Sequence, residues 1–327
     1  MIEAIQVHDP TDAANARRRI NSLAARLAYD ETQAGQLAIV VTELAQNILR
    51  HGGGGEIIAQ TDALIPNGVE ILALDRGPGM ADVQACLRDG FSTGGTSGNG
   101  LGAVCRLARE VAFHTAPSAG TAVLVRMGGA PDLRAARTTA ALCVPKSGET
   151  VCGDGAAMVN RADGSVGIML ADGLGHGPQA AAASDQAVKL FQKQQDGTPT
   201  TVLAALHAGL RATRGAAVAV ALIDPDARQV VYSGIGNIAG FITDTGGVRR
   251  MVSHSGTAGH TAGRLQDFRY PLYNRPVLAM YSDGLATSWS PESHPGLFTS
   301  DPLLIAGVLY RDHARGRDDA SVVVWKG

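Results

Sequence analysis

The sequence predicts an α+β protein with two successive domains, and three observations lead to that prediction. The chain has 327 residues, whereas a typical domain has about 100 to 200. Both halves combine amphipathic helical patterns with short β-branched strands. A stretch rich in glycine, alanine and arginine interrupts these patterns near residues 128–142. We therefore predict a first domain at 1–128, a linker at 129–142 and a second domain at 143–327.

Composition and charge exclude several classes of protein. Apolar residues make up 45% of the chain and charged residues 18%, which is typical of a packed globular protein. A net charge of −2 provides no basic field, so we expect neither nucleic acid nor a membrane as a partner. Because no apolar run approaches the ~20 residues of a membrane span and no signal peptide is evident, we predict a cytoplasmic protein. The four cysteines lack zinc-site spacing and are predicted to be reduced.

Periodicity predicts the elements of the first half. Apolar residues at three- and four-residue spacing predict an amphipathic helix over 32–50, and Asp30 with Gln33 is its predicted cap. Strands are predicted at 56–60, 69–74 and 121–126, and a second helix at 101–110.

The second half is richer in strands. The turn Asp224-Pro225-Asp226 predicts a hairpin between the strands on either side of it. Predicted strands are 165–171, 216–224, 229–233, 276–281 and 320–325, and predicted helices are 177–194 and 200–211. This pattern predicts a sheet sandwich covered by helices.

Two polar residues of the first predicted helix form one candidate site. Glu43 and Asn47 lie four residues apart, so they share one helix face beside the apolar stripe. An amide oxygen suits Mg²⁺ held next to nucleotide phosphates, and a carboxylate one turn earlier can deprotonate an attacking hydroxyl. The alternative interpretation is a solvated polar face.

Two glycine-rich loops extend this site. Asp75, at the end of a predicted strand, can accept a hydrogen bond from an adenine amino group, and Gly77 and Gly79 let the ring approach the backbone. The loop 92–102 opens the second helix, whose N-terminal amides favour phosphate. Its candidate nucleotide-binding residues are Gly98, Gly100, Leu101 and Gly102. Each loop alone is weak evidence.

Together, E-x-x-x-N, D-x-G-x-G and G-x-G before a helix resemble the N, G1 and G2 boxes of the GHKL ATPases. The stretches "TELAQNILRHGGGG", "DRGPGM" and "DGFSTGGTSGNGLGAVCRLA" are most similar to serine kinases of bacterial partner-switching pathways. This resemblance covers about residues 1–128 and implies a GHKL (Bergerat) α/β sandwich that binds ATP and phosphorylates a STAS-domain antagonist protein. It implies that Glu43 is the catalytic base, Asn47 the Mg²⁺ ligand and Asp75 the adenine anchor.

A second candidate site consists of aspartates that adjoin predicted apolar strands: Asp154, Asp172, Asp283 and Asp318. Packed carboxylates repel one another unless divalent cations neutralise them. Hard oxygen ligands select Mg²⁺ or Mn²⁺, and two such ions can activate a bridging water to attack phosphorus. A single Asp-Gly pair is a common turn, whereas four acidic positions in this order favour a metal site.

This ordered set resembles the PPM-type metal-dependent phosphatases, and "ADGLGHGPQAAAAS" is similar to the SpoIIE and stress-pathway branch. The resemblance covers about residues 143–327 and implies a β-sandwich flanked by helices. It implies that all four aspartates are metal ligands and that the carbonyl of Gly173 completes the shell. The role of Asp319 stays open, and His176 either lies near the substrate or packs in a loop.

The leading hypothesis is a bifunctional regulator. The first domain would phosphorylate a STAS-type partner and the second would dephosphorylate that or a related phosphoprotein. Since both reactions on one residue would only hydrolyse ATP, we expect distinct substrates or conformational control. The alternative is a phosphatase whose first domain only binds nucleotide and a partner such as a sigma factor. The irregular glycine loop slightly favours this alternative, whereas Glu43 argues against it. A scaffold without activity conflicts with the intact acidic set.

Overall fold

A computed structural model of the protein describes residues 2–61, 66–83, 100–129, 137–194 and 196–327. No helix in these ranges is long and apolar enough to cross a bilayer.

The chain forms two compact units that are discontinuous in sequence. The first contains Met1–Ala136 and Thr299–Arg311, and the second contains Arg137–Phe298 and Asp312–Gly327. The domain bounds at residues 128 and 143 stay predictions.

The first unit is built on one antiparallel sheet. Its strands are β1 (Ile2–Val7), β2 (Gly55–Thr61), β3 (Val69–Asp75), β4 (Glu110–Thr115) and β5 (Thr121–Met127). Their order in the sheet is β1-β2-β3-β5-β4. The helices on one face are α1 (Pro10–Arg26), α2 (Glu31–Asn47) and α3 (Gly100–Leu107), and a π-helical turn (Ile48–Gly52) follows α2.

Helix α2 forms as its sequence predicts. Asp30 accepts a hydrogen bond from the Gln33 amide at 2.7 Å, and the Gln33 side chain accepts one from the Asp30 amide at 3.1 Å. This capping box pairs two backbone donors that the first helical turn leaves open. The apolar stripe, including Leu37 and Leu44, is buried against the sheet. Because this apolar face is buried, the polar residues of α2 lie on its other faces.

The second unit contains two five-stranded antiparallel sheets. The strands are β6 (Thr139–Val144), β7 (Asp154–Asn160), β8 (Val166–Gly173), β9 (Ala216–Asp224), β10 (Gln229–Ile235), β11 (Ala239–Asp244), β12 (Gly247–Met251), β13 (Gly256–Thr257), β14 (Thr261–Ala262), β15 (Phe268–Pro271), β16 (Val277–Tyr281) and β17 (Ala320–Lys326). The helices of this part of the chain are α4 (Pro178–Lys193), α5 (Pro199–Gly209) and α6 (Pro302–His313).

These two sheets form a sandwich. One has the order β15-β10-β9-β8-β7 and the other β12-β11-β16-β17-β6. Alternation along β8 separates two cores, because Leu170 packs between the sheets whereas Met169 packs under α4 and α5. The α+β class predicted from the sequence, with helices covering a sheet sandwich, is confirmed.

Most of α6 belongs to the first unit, where it packs on the sheet face opposite α1 and α2. A Cβ atom at Gly307 would lie 3.0 Å from Leu72 Cδ1, so this helix approaches the sheet closely. Just before α6, Asp301 accepts two hydrogen bonds from the buried Arg126, at 2.8 and 3.0 Å. Arg126 also donates to Glu70 on the neighbouring strand at 2.8 Å. The buried guanidinium is therefore paired on both sides.

The predicted second helix was too long at its C-terminal end. It was predicted over 101–110, but α3 ends at Leu107 and Glu110 begins β4. Glu110 lies opposite Arg126 across the sheet and forms an ion pair with it at 3.3 Å. This tertiary pairing outweighs the helical preference of the local sequence. Strand β1, helix α1 and helix α6 were not predicted.

Replacing Asp301 tests the buried ion pair. Asp301→Ala removes two acceptors from Arg126, and we expect the free energy of opening of β5 to fall by about 3 kcal/mol. Hydrogen–deuterium exchange of the β5 amides measures this quantity in the first unit alone. The exposed Asp226→Ala in the second unit is the control. Equal protection of β5 in both variants would contradict a stabilising role for Asp301.

Candidate active sites

The structure brings Glu43 and Asn47 together at the start of α3. A Cβ atom at Gly100 would lie 2.6 Å from Glu43 Oε2 and 3.9 Å from Asn47 Oδ1. The side-chain nitrogen of Asn47 is buried and has no hydrogen-bond partner among the described residues. A polar atom left open in this way fits a site that takes a further polar group. Helix spacing and sheet packing thus place a carboxylate and an amide beside a helix N-terminus.

Asp75 is fixed at the end of β3. Its Oδ1 accepts hydrogen bonds from the amides of Gly77 at 2.9 Å and Thr121 at 3.2 Å. Burial raises the pKa of Asp75, and these two hydrogen bonds only partly offset the effect. Arg311 holds the same strand end by donating to the Asp75 carbonyl oxygen at 3.1 Å. A carboxylate in this position can accept a hydrogen bond from an amino group of a ligand.

The predicted loop glycines lie where the backbone leaves no room for side chains. A Cβ atom at Gly77 would be 2.4 Å from the His51 carbonyl oxygen. Gly79 has φ +73°, and its Cβ atom would be 2.0 Å from the Ala116 carbonyl oxygen. His51 therefore contributes backbone packing at this turn. Leu101 and Gly102 lie in the first turn of α3, and their role in phosphate binding stays a prediction.

Gly98 and the rest of residues 84–99 lie outside the described residues. Their predicted contribution to phosphate binding stays a prediction.

The predicted aspartates of the second unit occupy strand ends. Asp154 and Asp172 face each other as direct partners on β7 and β8. Asp283 follows β16, and Asp318 comes shortly before its neighbour β17. The charges of Asp154, Asp283, Asp318 and Asp319 all act on Asp172. These five aspartates therefore form one electrostatic cluster.

Burial and mutual repulsion set the protonation of this cluster. Burial, followed by the charges of Asp154 and Asp283, raises the pKa of Asp172 to about 9. Burial also raises the pKa of Asp154 to about 7, although Ser282 and Ser321 donate hydrogen bonds to it. Burial and the neighbouring Asp318 raise the pKa of Asp283. A positive charge placed among these groups would allow all of them to ionise.

Two oxygens of the cluster are open to a ligand. Oδ2 of Asp154 and Oδ2 of Asp319 are buried and have no hydrogen-bond partner among the described residues. Oδ1 of Asp319 accepts a hydrogen bond from the Lys146 amide at 2.9 Å, which aims Oδ2 toward Gly153. Asp319, whose role the sequence left open, therefore lies in the cluster. The unpaired oxygens and the hard donor set fit divalent cations.

No three histidine, cysteine or acidic side chains in the described ranges already enclose a common point. The backbone at Gly173 lies close to α4, because a Cβ atom at Gly173 would lie 2.3 Å from the Ala180 carbonyl oxygen. Helix α4 thus packs directly against the strand end that carries Asp172.

Two further polar residues at this end were not predicted from the sequence. Asn237 donates a hydrogen bond to Asp283 Oδ2 at 2.6 Å. Glu149, in the loop between β6 and β7, contacts His176 Nδ1 through Oε1 at 2.6 Å. Neither residue lies in an Asp-Gly motif, so no local pattern could have indicated its proximity. The contact places His176 in a defined orientation.

Known families match both halves of the chain. The family described as stage II sporulation protein E (SpoIIE) matches residues 162–325, and the histidine kinase-like ATPase domain matches residues 7–127. The serine/threonine-protein kinase RsbT of Bacillus subtilis (strain 168) is 32% identical to the chain over 120 residues. That region covers 36% of this chain and 90% of RsbT. Both resemblances drawn from the sequence motifs are confirmed.

Solved structures support the fold of part of the chain. A solved structure from work on the bacterial stressosome is 23% identical to this chain, with a TM-score of 0.53. The similarity covers 57% of this chain and 97% of the other. RsbX in complex with magnesium is 18% identical, with a TM-score of 0.50, and the similarity covers 57% and 94% of the two chains. At these identities the comparison concerns the fold alone.

The raised pKa values predict a pH dependence of stability. Aspartates of an unfolded chain ionise near pH ~3.9, whereas folded Asp154 and Asp172 retain protons up to a pH of about 7 and about 9. The folded state therefore binds more protons in this window, so the stability of the metal-free second unit falls as pH rises. Melting temperatures in EDTA from pH ~5 to ~9 measure the slope, which Asp172→Asn should reduce. Identical slopes for the two proteins would contradict the assignment.

Proposed function

Because the chain belongs to the SpoIIE family and carries a histidine kinase-like ATPase domain, we propose that this partner-switching regulator is bifunctional. In this proposal the first domain phosphorylates, and the second dephosphorylates, serine or threonine of STAS-type antagonist proteins. The observation that carries the proposal is the cluster of buried carboxylates with unpaired oxygens at the strand ends of the second unit. Buried like charges at one place are costly, so their grouping favours a functional site over a structural one.

The phosphatase reaction would use the acidic cluster to hold Mg²⁺ or Mn²⁺. The proposed ligands are Asp154, Asp172, Asp283, Asp318 and the carbonyl of Gly173. Metal ions held by these residues would supply a water of lowered pKa and would stabilise charge on the phosphate oxygens. The chain's own contribution is orientation, since the pairing of β7 with β8 fixes Asp154 opposite Asp172.

The kinase reaction would use the site on α2 and α3. Asn47 would hold Mg²⁺ between the protein and the phosphates of ATP, and Asp75 would bind the adenine amino group. Glu43 would orient and deprotonate the attacking hydroxyl. The position of its carboxylate at the start of α3 supports this role, since a Cβ atom at Gly100 would lie 2.6 Å from Glu43 Oε2. The α3 N-terminus would stabilise the phosphates.

The similarity to RsbT supports a protein substrate of the partner-switching kind. A STAS-domain antagonist is the proposed partner, and a sigma factor would replace it if the first domain only binds nucleotide. The convergence of Glu43 and Asn47 on Gly100 favours transfer over binding alone. Distinct substrates, or a conformational step, would prevent the two reactions from cancelling.

Replacing a proposed metal ligand tests the phosphatase. Asp283→Ala removes a carboxylate from the cluster, and we expect hydrolysis of a phosphoserine peptide with Mg²⁺ or Mn²⁺ to fall at least ~100-fold. Phosphate release measures the rate, and the exposed Asp226→Ala serves as the control. Unchanged hydrolysis in folded Asp283→Ala would refute the metal assignment.

Replacing the proposed base tests the kinase. Glu43→Gln keeps the shape of the side chain but removes its basicity, so we expect phosphoryl transfer from labelled ATP to a STAS protein to fall at least ~100-fold. Nucleotide affinity, measured by calorimetry, should change by less than about threefold, since the amide keeps its hydrogen-bonding capacity. Glu31→Gln, at the exposed start of α2, is the matched control. Wild-type protein that binds ATP without any transfer would favour the nucleotide-binding alternative.

A further inference from the structure

Two histidines of the second unit approach each other through their Nε2 atoms. His294 lies in the loop between β16 and α6, and His313 is the last residue of α6. Their Nε2 atoms are 3.3 Å apart. Asp312 Oδ2 also lies 3.3 Å from His294 Nε2. All three residues belong to the second unit, and Asp312 is not one of the five clustered aspartates.

Hydrogen bonding fixes the tautomer of His294. Ser293 Oγ donates its one hydrogen to the Ser290 carbonyl oxygen at 2.6 Å. It can therefore only accept from His294 Nδ1, which lies 3.0 Å away. Nδ1 carries the proton, so Nε2 of the neutral ring carries a lone pair. Since a carboxylate oxygen also only accepts, His294 Nε2 and Asp312 Oδ2 are two acceptors 3.3 Å apart, which a cation would stabilise.

Stacking holds the ring of His313. Trp289 lies nearly parallel to it, with ring centroids 4.4 Å apart and an interplanar angle of 7°. The ring of His294 stands at 74° to that of His313, with centroids 5.1 Å apart. Trp289 and Ser293 therefore orient the two imidazoles before any ligand arrives. Side chains held in this way lose less conformational freedom when they bind a ligand.

The spacing of the ring nitrogens matches that of ligands around a tetrahedral metal ion. Zn²⁺ binds histidine nitrogen at ~2.0–2.1 Å in tetrahedral geometry, which places neighbouring ligand atoms about 3.3–3.4 Å apart. The separation observed between the two Nε2 atoms is 3.3 Å. A hydrogen bond donated by N–H typically spans ~2.7–3.2 Å, so one between these rings would be long. The alternative, two imidazoles that only share a hydrogen within an aromatic cluster, predicts no metal affinity.

We propose that His294 and His313 bind one Zn²⁺ ion through their Nε2 atoms. Asp312 supplies negative charge beside the ion. In the described ranges no third histidine, cysteine or acidic side chain encloses the same point, so water completes the coordination. Imidazole suits zinc, whereas carboxylates and water suit Mg²⁺ and Mn²⁺, so this site differs in chemistry from the acidic cluster.

The hydroxyl of Ser293 gives the site its outer partner. A histidine that binds metal through one ring nitrogen usually donates a hydrogen bond from the other, which fixes its orientation. His294 does so through Nδ1. A bound ion would join the loop before α6 to the C-terminal end of that helix. The inference depends on neither proposed activity, because no substrate takes part in it.

Zinc titration of the full-length protein tests the two ligands. With excess Mg²⁺ present to compete for the acidic cluster, we expect the wild type to bind Zn²⁺. His294→Gln and His313→Gln should each weaken this binding at least ~10-fold, because each removes a ligand. Isothermal titration calorimetry measures the affinity, and the exposed His260→Gln is the matched control. Wild-type protein that binds no Zn²⁺, or equal affinity in all four proteins, would overturn the proposal.

Replacing Ser293 tests the outer partner. Ser293→Ala removes the acceptor that fixes the tautomer of His294, so we expect Zn²⁺ affinity to fall about 10-fold. Ser255→Ala, at an exposed position of the same unit, is the matched control. Equal Zn²⁺ affinity in the two serine variants would overturn the assignment of a site built around this tautomer.

Copper as a probe identifies the ligand atoms directly. Imidazole binds Cu²⁺ as well as Zn²⁺, so electron paramagnetic resonance of the wild type with Cu²⁺ should show coupling to two imidazole nitrogens. A spectrum with oxygen ligands alone would overturn the proposal. This measurement decides the question even if a histidine variant does not fold, and circular dichroism of each variant shows whether it does.

Discussion

The fold of the second unit holds buried carboxylates together against their electrostatic repulsion. Strand pairing forces Asp154 and Asp172 to face each other, and burial removes the water that would separate their charges. Such an arrangement is costly for the fold, and hydrogen bonds from Ser282 and Ser321 only moderate it. The cost is offset when hard cations occupy the same place. If the proposed phosphatase function holds, stability and catalysis in this unit depend on the same charges.

In the first unit, packing brings polar groups from segments that are distant in sequence to one candidate site. The buried stripe of α2 fixes its rotation, so Glu43 and Asn47 reach the start of α3. The turn after Asp75 can lie close to the segments at His51 and Ala116 because Gly77 and Gly79 have no side chains. Packing alone thus assembles a helix face and a strand end into one candidate nucleotide site.

Periodicity predicted much of this architecture, because helix α2 and the buried strands of both units carry strong local patterns. The acidic positions were also evident, since each adjoins an apolar strand. Contacts between remote segments could not be predicted in the same way. Glu149 lies in a loop with no pattern that relates it to His176, and Glu110 joined a strand because Arg126 lies across the sheet from it. Both outcomes depend on tertiary neighbours that one sequence does not reveal.

Each unit is built from two separate segments of the chain, and this limits how the gene can be recombined. Residues 299–311 lie in sequence between Asp283 and Asp318, yet they cover a face of the first sheet and bind Arg126 through Asp301. The polypeptide therefore leaves one unit and returns to it, instead of joining two modules end to end. Exchange of the C-terminal half by recombination would carry away part of the N-terminal half. The two halves are thus constrained to be inherited, and to diverge, together.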